Sequence, residues 1–165
     1  MIFKILTFDK TGEVSNRIEN IFTKFMKGYL VYRAATAAET VEIGKREEVD
    51  VIIINGDDNP DLSPEILLDL KRKIVPSPKL LLLLESNNIH TKPALESEAH
   101  ATLNSSNFRM VQIRNAVHDL IRARFLEDYE RRKAEEKAKR TETEELLQDI
   151  REIKEELKNK QWEDN

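Results

Sequence analysis

Asp50-Val51-Ile52-Ile53-Ile54-Asn55 is the stretch that decides the fold of this chain of 165 residues. It is short, aliphatic and rich in β-branched residues, with no polar residue inside it. A strand at a sheet surface alternates apolar and polar side chains, whereas a central parallel strand is buried on both faces and reads as a continuous apolar run. The stretch therefore predicts the central strand of a parallel sheet.

Similar short runs lie on both sides of this stretch, and segments with helical periodicity separate them. Strands are predicted at residues 2–8, 29–32, 50–55, 79–84 and 101–103. Thr36 and Ser63-Pro64 are good helix starts for the second and third helices, and a last helix begins near Asn107. Five βα units in about 120 residues favour a doubly wound, flavodoxin-like α/β fold with strand order 2-1-3-4-5.

The distribution of charge divides the chain near residue 125. Residues 1–125 carry 17 acidic and 17 basic side chains, whereas 24 of the 40 residues in 126–165 are charged. A segment that charged cannot bury a core of its own. We therefore predict a globular domain over 1–125 and a charged helical tail over 126–165, called the tail below.

Composition also narrows the possible classes of function. The chain has no cysteine, so it has neither disulfides nor a thiolate metal site, and its three histidines share no ligand spacing. Its longest aliphatic run, residues 80–84, is far too short to span a bilayer, and its first residues do not resemble a secretory signal. We expect a cytoplasmic protein with no membrane partner.

Ligands of such folds bind beyond the carboxyl ends of the strands, and the residues there resemble those of response-regulator receiver domains. In that family the first strand ends in two acids; here Asp9 matches the first and Lys10 replaces the second. The third strand ends in the aspartate that accepts the phosphoryl group, and Asn55 stands at that position. Three further positions differ. Glu85, with Ser86 after it, replaces the switch Ser or Thr, Thr102 replaces an aromatic residue, and Ser105 replaces a lysine.

These departures together predict that the phosphorylation chemistry is lost. Phosphoryl transfer to a carboxylate requires an anionic nucleophile and a divalent cation. The Asn55 amide is neutral, Lys10 brings a positive charge beside Asp9, and Ser105 cannot supply the charge of a lysine. We expect no catalytic residue, no bound metal and no cofactor, and the chain shows no motif of an enzyme.

Two acids just beyond the third strand leave an alternative open. Asp57 and Asp58 lie in a Gly-Asp-Asp-Asn-Pro segment, which has the ordinary composition of a solvated turn. Either carboxylate is also close enough in sequence to Asn55 to act as an atypical phosphoryl acceptor with a divalent metal.

The tail contains a helical apolar seam. Leu146, Ile150, Ile153 and Leu157 follow the 4-3-4 spacing of a coiled coil. The same phase passes backwards through polar residues to Tyr129 and Phe125. Because two heptads alone are marginal, we expect pairing with a second copy or a partner helix to involve also the domain or Tyr129 and Phe125. The alternative is a solvated single helix held by i,i+4 ion pairs. Basic and acidic residues are interleaved and the tail is net negative, so nucleic acid is not an expected partner.

The leading prediction is a non-catalytic pseudo-receiver, related to two-component signalling proteins, that acts as a signalling or scaffold protein. It would bind a protein partner independently of phosphorylation and form a homodimer through the tail. The resemblance implies a recognition face near residues 90–107. The alternatives are an atypical phosphorylated receiver that uses Asp57 or Asp58, and a purely structural dimerisation module.

Overall fold

A computed structural model describes the backbone of residues 2–85 and 92–163, and the side chains of residues 2–85 and 92–155. The strands are β1 (Phe3–Phe8), β2 (Tyr29–Ala34), β3 (Val51–Asn55), β4 (Lys79–Leu83) and β5 (Ala101–Leu103). The helices are α1 (Glu13–Lys24), α2 (Ala37–Glu47), α3 (Pro64–Lys73), α4 (Lys92–Glu98) and α5 (Met110–Glu163).

The five strands form one parallel sheet in the order β2-β1-β3-β4-β5, which confirms the predicted topology. Every residue of β3 and β4 is buried, as expected for central strands covered on both faces. The strand β2 extends two residues beyond the predicted end at Tyr32, and α5 begins at Met110 rather than near Asn107.

Side chains alternate between two cores, one on each face of the sheet. Ile52 and Ile54 of β3 pack in one core with α2 and α3, whereas Val51 and Ile53 pack in the other with α1 and α5. The predicted helix starts are present in the structure. The hydroxyl of Thr36 accepts a hydrogen bond from the Glu39 N–H, and that of Ser63 accepts one from the Ile66 N–H.

The chain divides into two compact units, residues 1–124 and residues 125–165, and the division falls within α5. In the first unit, Arg124 is buried and donates hydrogen bonds to the Val49 carbonyl oxygen and to the Asp50 carboxylate. In the second unit, every side chain described after Asp128 is exposed. None of the described helices is long and apolar enough to cross a membrane.

Candidate functional site

The carboxyl ends of the strands bring the predicted site residues to one edge of the sheet. Ile54 pairs with Phe8, so the next residues, Asn55 and Asp9, lie side by side at the ends of β3 and β1. Leu83 pairs with both Asn55 and Leu103, which places the segments after β4 and β5 at the same edge. Parallel topology thus collects residues that are up to about 100 positions apart in sequence.

Asn55 is the centre of a hydrogen-bond network, which we call the strand-end network (Asp9, Thr11, Ser15, Asn55 and Asp58). Asp9, Ser15 and Asn55 are buried, whereas Asp58 is half-buried and Thr11 is exposed. The Asn55 Nδ2 donates to Asp9 Oδ1 at 3.1 Å and to Asp58 Oδ2 at 2.9 Å. Asn55 and Asp9 are only 4% and 3% exposed. Because a carboxylate only accepts hydrogen bonds, the amide nitrogen must be the atom that faces both acids. One uncharged amide therefore links two carboxylates.

Asp9 is held from its other side by the first turn of α1. The Ser15 backbone N–H donates to Asp9 Oδ2 at 2.8 Å, and the Ser15 hydroxyl donates to the Thr7 hydroxyl. Burial raises the pKa of Asp9. This effect is outweighed by hydrogen bonds from the Ser15 N–H and from Asn55, together with those involving Asp58 and the Ser15 hydroxyl. The net effect lowers this pKa below its ordinary value. The carboxylate is thus stabilised in its charged form without a cation.

Asp57 and Asp58 turn in opposite directions from the end of β3. Asp58 faces the β1 side, where it accepts hydrogen bonds from Asn55 and from the Thr11 hydroxyl. Asp57 faces the β4 and β5 side, where it accepts from the Glu85 backbone N–H at 3.0 Å and from the Ser105 hydroxyl. The turn composition of this segment gave no sign that its two acids are committed to separate partners.

A polar cavity of about 290 Å³ opens between these groups. Its lining includes Asn55, Asp57, Asp58, Ser105 and, from α1, Arg17. The guanidinium of Arg17 lies 3.9 Å from the centre of the Phe108 ring and donates to the Phe108 carbonyl oxygen at 2.7 Å. Sequence reasoning missed Arg17, because a contact between residues 91 positions apart leaves no local pattern.

Comparisons with known proteins bear on this architecture. A signal receiver domain of an HD domain-containing protein from Pseudomonas fluorescens superposes with a TM-score of 0.67 at 16% identity, over 77% of this chain and 92% of its own. A response regulator receiver domain protein from Clostridium thermocellum gives a TM-score of 0.62 at 22% identity, over 76% and 98%. The fold is that of a receiver domain. No protein-family model matches the sequence, and no curated protein does.

A third similar structure reaches into the tail. It is a trimeric coiled-coil segment of yeast Spc42 fused to another protein, with a TM-score of 0.65 at 19% identity. The similarity covers 91% of this chain and 97% of that one, so it extends beyond residue 125. The long helix of this chain is therefore matched in part by a solved structure.

The remaining positions of the receiver pattern lie around the network rather than in it. Lys10 is exposed, and its side chain lines a cavity with Ala35 and Pro60 on the β2 side. Thr102 is half-buried in β5, opposite Leu82 of β4. Glu85 donates a hydrogen bond to Asp57 through its backbone N–H, and it also lines the polar cavity. Ser86 lies outside the described residues.

A receiver fold implies a divalent cation beside the strand-end acids, and the residues here do not fit one. Magnesium takes oxygen ligands. The atom between Asp9 and Asp58 is a nitrogen that donates hydrogen bonds to both, and Asn55 Oδ1 is buried with no partner among the described residues. Over the described ranges no cluster of three or more acidic, histidine or cysteine side chains has the arrangement of a metal site.

The predicted seam of the tail lies on the surface of α5. Tyr129, Leu146, Ile150 and Ile153 are 64%, 57%, 47% and 56% exposed. Phe125 is also exposed, whereas the side chain of Leu157 lies outside the described residues. Such a row of large apolar side chains in water is typical of an interaction surface.

Proposed function

We propose that this chain is a pseudo-receiver, a signalling or scaffold protein without catalytic activity that works independently of phosphorylation. Its receiver-like domain binds a protein partner through its surface, and its tail forms a homodimer. The receiver fold, the strand-end network whose donors are bound to acids of the same domain, and the exposed seam of the tail support this proposal.

The observation that carries the proposal is the position of the Asn55 amide. Its nitrogen lies about 3 Å from both Asp9 and Asp58, so it neutralises neither acid but gives each a hydrogen-bond donor. An amide is a poor nucleophile and cannot form an acyl phosphate. A cation that entered between the acids would have to displace an amide that is already hydrogen bonded, at the cost of leaving a buried donor unsatisfied.

The environment of Asp57 supports the same proposal. Glu85 and Ser105 stand where receiver domains have a switch hydroxyl and a lysine, the groups that engage a bound phosphoryl group. Here the Glu85 N–H and the Ser105 hydroxyl both donate to the Asp57 carboxylate. An anion of the chain itself thus occupies these donors, which favours one fixed state over a switch between two.

Amide NMR spectra with magnesium and beryllofluoride, an acyl-phosphate analogue, test the proposal. The amides of Asp9, Asn55 and Asp57 should show no saturable shift in the natural chain. The Asn55→Asp variant serves as the matched positive control, because it restores a carboxylate at the acceptor position. Saturable shifts in the natural chain would overturn the proposal.

The runner-up function is phosphorylation of Asp57 or Asp58. Asp57 favours it in one respect, since its side chain is exposed at the polar cavity. If the natural chain responds to beryllofluoride, the Asp57→Asn and Asp58→Asn variants identify the acceptor, because only one of them should abolish the shifts.

The partner-binding role is separable from dimerisation. Affinity capture with the natural chain and with the Ile150→Glu/Ile153→Glu variant as baits shows whether partner binding depends on dimerisation. If the receiver-like surface, including residues 92–107, binds the partner, the variant with the disrupted seam should still capture it. If neither bait captures a specific partner, the chain acts as a purely structural dimerisation module.

A further inference from the structure

The tail carries a second pattern beside its apolar seam. With Ile150 at heptad position a and Ile153 at position d, the residues that flank the seam fall at positions g and e. Those at g are all acidic: Asp128, Glu135, Glu142 and Asp149. Those at e are basic or leucine: Leu126, Lys133, Arg140, Leu147 and Lys154. One edge of the seam is therefore negative and the other is mostly positive.

We infer that the seam binds a second copy of this chain in parallel and in register. In a parallel pair, a residue at g faces the residue five positions later on the other helix. Asp128 then faces Lys133 of the second copy, Glu135 faces Arg140, and Asp149 faces Lys154. The two-fold symmetry of the dimer repeats each contact, so six pairs of opposite charge flank the seam. This inference rests on the proposed homodimerisation and adds the orientation of the two helices.

An antiparallel pair would give the opposite result at the flanks. There g faces g and e faces e, so acids meet acids and Lys133 meets Arg140. Only Leu126 and Leu147 would remain as non-repulsive flanking residues. The charge pattern therefore favours parallel pairing of two copies of this chain and disfavours antiparallel pairing.

The polar middle of the seam is compatible with the parallel arrangement. Arg132, Glu136 and Lys139 occupy successive d, a and d positions with alternating charge. In a parallel, in-register pair, each of these residues faces the same residue of the second helix, so each layer contains two like charges. The adjacent layer of the second helix carries the opposite charge. An antiparallel pair centred here would match Glu136 with Lys139 directly, yet it would separate the aliphatic residues. Ile150 would then face Phe125 instead of Ile150.

The aliphatic residues at the a and d positions of the tail favour parallel pairing with a second copy. Leu146, Ile150 and Ile153 are each about half exposed and lie in successive layers of α5. Parallel pairing buries each against its own copy, which removes from water a continuous apolar row that either helix alone leaves exposed. Leu147, 50% exposed at an e position, lies beside this row and widens it.

Disulfide trapping tests the orientation, because the chain contains no cysteine of its own. In the full chain, Ile150→Cys should form a covalent dimer under mild oxidation, since both copies present this position to the same layer. The control Glu155→Cys lies at the outer f position and should not cross-link. Sedimentation of the untreated natural chain, measured alongside, gives the stoichiometry.

The outcomes separate this inference from the proposed dimerisation. A natural chain that sediments as a monomer overturns both. A dimer in which Ile150→Cys fails to cross-link, but in which a mixture of Ile150→Cys and Phe125→Cys chains does, overturns only the parallel orientation. A trimer overturns the two-stranded arrangement even if Ile150→Cys cross-links.

Charge reversal provides a second readout. Lys154→Glu should weaken association roughly tenfold, because two attractive contacts per dimer become repulsive. The double variant Asp149→Lys/Lys154→Glu should restore it, since opposite charges again face each other. High salt should reduce the difference between these variants. If the double variant associates no better than Lys154→Glu, the proposed pairing of g with e is wrong.

Discussion

The strand-end network and the tail use their side chains in opposite ways. In the network, the donors of Asn55, Thr11 and Ser15 are bound to acids of the same domain. In the tail, large apolar side chains such as Ile150 and Ile153 are about half exposed. The donors of the first region are satisfied within one chain, whereas the second region leaves a row of apolar side chains exposed.

This difference indicates that the tail, rather than the strand-end network, is the better candidate for binding another molecule. A site that accepts a phosphoryl group needs a divalent cation to neutralise the charge that develops there. Here the chain's own amide and hydroxyl groups supply the donors, so a ligand would have to break existing hydrogen bonds. The tail requires no such exchange, because association removes apolar surface from water.

The largest effect is expected from charges placed in the seam. Ile150→Glu/Ile153→Glu should abolish self-association, because each buried isoleucine contributes about 2 kcal/mol per chain and the new carboxylates repel each other. Sedimentation velocity measures this. The domain's midpoint of thermal unfolding, measured on the same sample, should change little.

The matched control for that experiment adds the same charges outside the seam. Thr141→Glu/Gln148→Glu places two glutamates at outer f positions, replaces two neutral residues as the seam variant does, and should leave the dimer intact. Equal dissociation of both double variants would show that net charge, rather than the seam, governs association.

A somewhat smaller effect is expected when Asn55 becomes an acid. Asn55→Asp places a third carboxylate about 3 Å from the other two, so it should lower the free energy of unfolding at neutral pH by about 3 kcal/mol. Millimolar magnesium should recover much of this loss, because three carboxylates can ligate a cation. Denaturant unfolding with and without magnesium measures both effects.

The natural chain and Asn107→Asp are the controls for the magnesium effect. Neither should gain stability from magnesium beyond the general effect of ionic strength. Stabilisation of the natural chain to the same extent as Asn55→Asp would mean that the strand-end network already accepts a cation.

Removing the amide without adding charge should have a smaller effect. Asn55→Leu keeps a similar volume but takes away the donor shared by Asp9 and Asp58, so we expect a loss of about 2 kcal/mol. Urea unfolding at neutral pH measures it. Ser105→Ala is a useful comparison, because it removes one donor to an exposed acid and should cost about 1 kcal/mol or less. A cost for Asn55→Leu no larger than that of Ser105→Ala would show that the network does not depend on the amide.

The smallest effect is the pH dependence of stability. The folded pKa of Asp9 lies below its ordinary value of 3.8. Its contribution is therefore present above the unfolded pKa and is lost as the pH falls through the folded pKa. The natural chain should lose stability as the pH falls below the ordinary value of 3.8, and Asn55→Leu should lose less, because a donor that lowers the pKa of Asp9 is gone. Identical acid dependence of the two chains would contradict this assignment.

Much of the fold was predictable because its signals are local. Each signal lies within a few residues of the element that it predicts. Examples are the apolar run of β3 and the helix caps at Thr36 and Ser63. General rules on parallel connections limit the possible strand orders, and 2-1-3-4-5 is one of the common doubly wound arrangements. Boundaries were less accurate: α5 begins at Met110, after Phe108, whose ring lies against Arg17.

The candidate site was predictable only in its location. Sequence placed Asp9, Asn55 and Ser105 at one edge of the sheet, but it could not show that Asn55 links two acids. Nor could it show that Asp57 and Asp58 diverge to different partners, because adjacent residues of the same type look equivalent in a sequence. The direction of a side chain depends on contacts that are distant along the chain, such as those of Asp57 with Glu85 and Ser105.

Sedimentation equilibrium of the full chain, with and without magnesium and beryllofluoride, tests the central claim most directly. It measures in one experiment whether the tail associates and whether the strand-end network influences it. The account predicts a dimer whose dissociation constant is the same under both conditions. A dissociation constant that changes several-fold when the acyl-phosphate analogue is added would show that the site still acts as a switch, and would contradict the account.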